Sequence, residues 1–185
     1  MAVLVRKVVQ KLFLVLVLML AAVTAYAQTS PLEGAWAYAH DPKTPILTVK
    51  SDGTAVYFGK QYGWEDIGGF LSLSGEEGNA FLRYHVTDQA VYIYPETVFE
   101  KTGHPELEGL FGVWQGVNSG SSFAFTPDGY FLEDGAFTGQ YTVDADAGTF
   151  LLNYGGVFAD TLCYYTLRED GCLVVAYPYD VVPVN

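Results

Sequence analysis

The sequence predicts an all-β chain whose antiparallel strands form an up-and-down meander, built twice, and three observations carry that expectation. No stretch after residue 27 repeats its apolar residues at helical spacing. Asp-Gly pairs at 52–53, 128–129 and 170–171 supply the positive-φ chemistry of tight hairpins. Short motifs also recur in the same order: Leu32-Glu33-Gly34 as Leu107-Glu108-Gly109, Ser51-Asp52-Gly53 as Pro127-Asp128-Gly129, Gln61-Tyr62 as Gln140-Tyr141, and Tyr94-Pro95 as Tyr177-Pro178. Their spacings of 75, 76, 79 and 83 drift as they would if loops gained residues while strands kept their lengths. Two tandem repeats follow, residues 28–98 and 104–185, joined through Phe99 to Gly103.

Residues 1–27 read as an export signal. Arg6, Lys7 and Lys11 precede an uncharged apolar run over residues 12–23, and Ala25-Tyr26-Ala27 ends it with small residues where signal peptidase cuts. The run is shorter than the roughly 20 residues that span a bilayer. Cleavage after Ala27 is expected to release a protein to the periplasm or the exterior, with no membrane attachment. Candidate strands of the first repeat lie near 34–40, 45–50, 54–59, 69–74, 79–86 and 90–95, which makes six strands per repeat. Six strands close into a barrel just filled by side chains, whereas twelve in one shared barrel leave room for a ligand. The near-equal copies favour two packed units.

One hairpin is readable in register. A turn at Asp88-Gln89 sets Val86 against Val91, His85 against Tyr92, Tyr84 against Ile93 and Arg83 against Tyr94. Leu82, Tyr84, Val86, Val91 and Ile93 then share an apolar face, and Arg83, His85, Tyr92 and Tyr94 share a polar-aromatic one. A similar turn at Asp170-Gly171 sets Cys172 against Glu169 and leaves Cys163 roughly 20 Å away, beyond the 7 Å or so that a disulfide spans. Two separate thiols facing the core are expected.

The opening Leu32-Glu33-Gly34-Ala35-Trp36, the hairpin Phe125-Thr126-Pro127-Asp128-Gly129, and the later Gly139-Gln140-Tyr141 and Phe150-Leu151-Leu152 resemble the small bacterial lipocalin-like (calycin-like) domains. The second repeat departs from that pattern with Phe111 where tryptophan is expected, and the first with Val49 where phenylalanine is expected. The resemblance implies a lipocalin-like barrel and carries little about activity. An aromatic on the first strand suits the plugging of one barrel end.

The formal charge is −12, and −15 once residues 1–27 are removed, which leaves nucleic-acid phosphates without a cationic surface. No Gly-x-Ser-x-Gly elbow or Walker loop is present. His40, His85 and His104 share no metal-ligand spacing, and the run from Asp144 meets Gly155 where a Ca²⁺ loop needs Glu. Glu76-Glu77 and Glu133-Asp134 sit in polar, turn-like stretches and are expected to stay too solvated for acid catalysis. No enzyme activity, metal or cofactor is expected. The excess of aromatics points instead to binding. Two readings stand: a carrier of a small apolar or amphipathic ligand in a barrel cavity, or an interaction module that engages glycan, peptide or protein through exposed rings. The candidate ligand-binding residues are Arg83, His85, Tyr92, Tyr94 and Trp36.

Overall fold

The computed structural model describes residues 30–76 and 78–184, so the expected export signal lies outside the described residues. In chain order the strands are β1 (Gly34–Tyr38), β2 (Pro45–Val49), β3 (Thr54–Tyr57), β4 (Lys60–Asp66), β5 (Phe70–Gly75), β6 (Gly78–Val86), β7 (Val91–Tyr94) and β8 (Glu96–Gly103). They are followed by β9 (Gly112–Gly116), β10 (Ser122–Phe125), β11 (Tyr130–Glu133), β12 (Phe137–Asp144), β13 (Thr149–Asn153), β14 (Thr161–Leu167), β15 (Leu173–Ala176) and β16 (Tyr179–Pro183). No helix occurs among the described residues. All neighbours are antiparallel, and the sheet closes twice into eight-stranded barrels.

Each repeat therefore supplies eight strands, where six were expected. The two missed in the first repeat are β4, whose Lys60-Gln61-Tyr62-Gly63-Trp64 lacks a clean apolar alternation, and β8, whose Phe99–Gly103 segment was expected to be the joining piece. Neither can be told from a loop by local pattern, because each is strand only by virtue of its neighbours.

Barrel membership does not follow the repeats. The first barrel consists of β1–β7 closed by β16, and the second of β8–β15. The last strand of each repeat thus completes the barrel of the other. β8 lies between β15 and β9, and β16 lies between β7 and β1. Residues 91–93 pair with 179–181, and residues 96–99 pair with 173–176, in one unbroken register. A single two-stranded ribbon therefore runs from one barrel into the other. That register sets Tyr94 against Pro178 and Pro95 against Tyr177 at the crossing point, where neither proline has an N–H to donate to a ladder.

The ladders also fix how the repeats correspond. Trp36 Nε1 donates to Leu32 O at 2.7 Å and Trp114 Nε1 donates to Leu110 O at 2.8 Å. The partner of Leu32-x-Gly34-x-Trp36 is accordingly Leu110-x-Gly112-x-Trp114, and the expected match at Leu107-Glu108-Gly109 with Phe111 as a departure is corrected. Gly34 and Gly112 hold φ of 125° and 119°, values that a Cβ disfavours, so the chain can fold back beneath each indole. Likewise Trp64 corresponds to Tyr141, which moves the expected match of Gln61-Tyr62 with Gln140-Tyr141 by two residues: Trp64 Nε1 donates to Lys50 O, and the Tyr141 hydroxyl donates to Thr126 O, the carbonyls that open the two equivalent Asp-Gly turns.

Both interiors are packed. Leu32, Trp36, Leu47, Trp64, Leu71 and Leu82 lead the first core, and Trp114, Phe123, Phe125, Phe131, Phe150 and Leu152 the second. Cys163 belongs to the second core, where burial pushes its thiol up, and Cys172 is half-buried at a turn. Both thiols are free, as expected, but Arg168 N donates to Cys172 O, so Cys172 stands opposite Arg168 rather than Glu169 and does not join the core.

The exchange predicts an outcome that a sequential pair of barrels would reverse. Deleting β16 should expose amides of β1 and β7 to hydrogen exchange and leave the second barrel protected. Loss of protection in β9 and β15 instead would refute the strand order.

Candidate functional site

The hairpin of β6 and β7 has the expected register, with Arg83 against Tyr94, Tyr84 against Ile93, His85 against Tyr92 and Val86 against Val91. Its faces separate only in part as expected. Leu82 and Ile93 are buried in the first core, but Val86 at the hairpin end is 43% exposed. On the other face His85 is exposed and Arg83 and Tyr92 are half-buried, whereas Tyr94 is only 8% exposed. The second barrel covers it: the rings of Tyr94 and Tyr164 meet edge to face at 5.3 Å. The Arg83 guanidinium lies between Phe70 and Tyr164, at 4.2 and 3.8 Å from the ring centroids. Arg83 and Tyr94 thus hold the two barrels together on one side of the ribbon, around a hollow of about 220 Å³. Trp36 lies in the first core beneath the chain that enters the barrel, so it serves as the end plug and presents no surface.

His85 and Tyr92 line a different hollow, of about 570 Å³, together with His40, Tyr177, Tyr179 and Asp180. Tyr92 is flanked by His85 on β6 and Asp180 on β16, a row across three adjacent strands. The sequence brought His85 and Tyr92 to this face. It gave no sign of Tyr179 and Asp180, because β16 reaches β7 only through the exchange.

The most developed chemistry is at the end of the second barrel from which the ribbon departs. Glu133 closes β11, Tyr154 follows β13, and Tyr177 follows β15. These three strand ends lie at one end of the meander, since alternate strands of an antiparallel sheet run the same way. The Tyr154 hydroxyl donates to Glu133 Oε2 at 2.6 Å, and the Tyr177 hydroxyl lies 3.3 Å from that of Tyr154, which makes a short relay of hydrogen bonds ending on the carboxylate. Burial raises the Glu133 carboxyl above its usual range, the bond from Tyr154 opposes that shift, and the neighbouring Asp134 charge adds to it. Glu133-Asp134 was expected to stay too solvated for acid catalysis; Asp134 is exposed and Glu133 is half-buried. Tyr177 and Tyr179, delivered by the crossing ribbon, line a small hollow together with Glu133.

Around this relay lie aromatic walls. Phe137 and Phe158 meet at 5.5 Å with planes 76° apart, and Phe158 meets Tyr154 at 5.5 Å and 88°. Phe158 is 52% and Phe137 43% exposed, although both are large apolar groups. With Glu133, Thr161 and Tyr177 they line an open hollow of about 380 Å³. It shares Tyr177, Ala159 and Thr161 with the His85–Tyr92 hollow, so the two adjoin. Comparison of the chain with protein-family models, with curated proteins and with solved structures finds no match. Its chemistry therefore rests on this geometry. The described residues hold no cluster of three or more metal-ligating side chains.

Two measurements follow. Because the folded protein binds the Glu133 proton more tightly than the unfolded chain, the group contributes fully to stability below the usual value of 4.5 and loses that contribution as pH rises through its raised value. Glu133→Gln should therefore melt near wild type in acid and increasingly above it toward neutrality; a gap that does not change with pH would contradict the burial. Arg83→Ala should cost about 1 kcal/mol in chemical denaturation, with most of that loss absent in a Tyr164→Ala background.

Proposed function

We propose that this is an exported binding protein without catalytic activity, which takes a small amphipathic ligand in the hollow at the end of the second barrel. The observation that carries this reading is the convergence of Phe137, Phe158, Tyr154 and Tyr177 on one half-buried carboxylate. A hollow of about 380 Å³ suits a small molecule, since ligand sites usually measure roughly 300–1,000 Å³ and combine apolar walls with one or two placed polar groups. Exposed phenylalanines lose hydration cost when a ligand covers them, which makes the site favourable to fill.

Lipocalin-like barrels are expected to hold a ligand inside. Here both interiors are occupied by core side chains, which favours a site at the barrel end. In this reading Glu133 fixes a polar group of the ligand and is itself held by the Tyr154 hydroxyl, which donates to its carboxylate. The expected site residues His85 and Tyr92 take a supporting place in the adjoining hollow, where a longer ligand would extend.

Native mass spectrometry of the chain, before and after organic extraction, tests the reading. The expected result is a small-molecule adduct that extraction removes and that the double variant Phe137→Ala, Phe158→Ala fails to carry. An adduct retained by that variant and lost in Tyr92→Ala would move the site to the adjoining hollow.

A further inference from the structure

We propose that the hollow beside Glu133 recognises a quaternary ammonium group, an inference that rests on the reading of this hollow as the ligand site. The first support is electrostatic. Glu133 is half-buried, its neighbours are the Tyr154 hydroxyl and the like-charged Asp134, and no lysine, arginine or histidine lines the hollow. A carboxylate withdrawn from water without a countercharge is costly, and a ligand cation supplies that charge. The second support is the shape of the walls. Phe137, Phe158 and Tyr154 stand in successive near-perpendicular contacts, so their rings face different directions around the space. Aromatic faces carry negative charge density, and several of them around a carboxylate attract a cation that is poorly hydrated.

The hydrogen-bonding inventory separates this ligand from a neutral sugar. The Tyr154 hydroxyl is committed to Glu133, the Tyr177 hydroxyl to Tyr154, and the Thr161 hydroxyl donates to Ala159 O at 3.3 Å, so each hydroxyl on the walls already has a partner other than a ring of ligand hydroxyls. A quaternary ammonium asks for no hydrogen bonds. It needs a countercharge and apolar contact for its methyl groups, and both are present. The formal charge of −12 further favours cations and repels anions at long range.

The test compares choline with 3,3-dimethyl-1-butanol, which has the same shape and no charge, by NMR titration of the full chain at low salt. Choline is expected to bind about tenfold tighter than the alcohol, Glu133→Gln to remove about that factor for choline alone, and Phe158→Ala to weaken both. Equal affinity for the two probes would overturn the cation preference while keeping the hollow as the ligand site, as would choline binding that Glu133→Gln leaves unchanged. Shifts from neither probe at Phe137 and Phe158 would overturn both readings.

Discussion

Neither barrel can close without a strand from the other repeat, and this mutual completion governs the rest of the molecule. An eight-stranded barrel has no free edge only when its last strand pairs on both sides. In this chain β16 does so for the first barrel and β8 for the second. The ribbon of residues 91–99 with 173–181 is therefore at once the closing seam of both barrels and, among the described residues, the covalent bridge between them. Tyr94-Pro95 and Tyr177-Pro178 sit where it crosses, and the prolines leave a gap in the ladder at the one place where the strands change barrels.

The seam also builds the surface features. It lays Tyr94 against Tyr164 and inserts Arg83 between rings of both barrels, so the barrels pack side to side along it. On the far face it carries Tyr177 and Tyr179 to the end of the second barrel, where they line a hollow with Glu133. The corresponding residues of the first barrel differ, for a local reason. In the second barrel Gly139 on β12 stands across from Tyr154. In the first, Tyr62 on β4 stands across from Gly75, and a Cβ on Gly75 would lie 2.9 Å from the Tyr62 ring. Tyrosine and glycine have exchanged strands between the copies. Glu133 in turn occupies the place of Tyr57, whose ring packs against the first core. Divergence at these few positions left a tyrosine packed on the core in one barrel and a carboxylate beside aromatic walls in the other.

How legible the chain was depended on how far apart the deciding residues lie. The hairpin of β6 and β7 was readable to the residue because a short turn with alternating side chains fixes register locally. The Asp-Gly turns and the duplication were legible for the same reason. The match of the repeats slipped at Leu107-Glu108-Gly109, an identity of three residues that lies in a loop, while the true partner Leu110-x-Gly112-x-Trp114 is marked by an indole hydrogen bond that only the folded chain displays. The half-burial of Glu133 was not legible, since the residues near it in sequence are polar and its aromatic neighbours Tyr154 and Tyr177 are distant in the chain.

By itself, then, the sequence determined an antiparallel all-β fold, its duplication and the pairing within hairpins, because those follow from side-chain alternation and turn chemistry over a few residues. Tertiary structure decided which barrel each final strand joins. β8 meets the same kind of partners in β15 and β9 as it would in β7 and β1, since the two repeats present equivalent edges, and local preference cannot choose between them. The same non-local choice brought Tyr177 and Tyr179 beside the half-buried Glu133, because desolvation is set by whichever strands arrive, however distant they are in the chain.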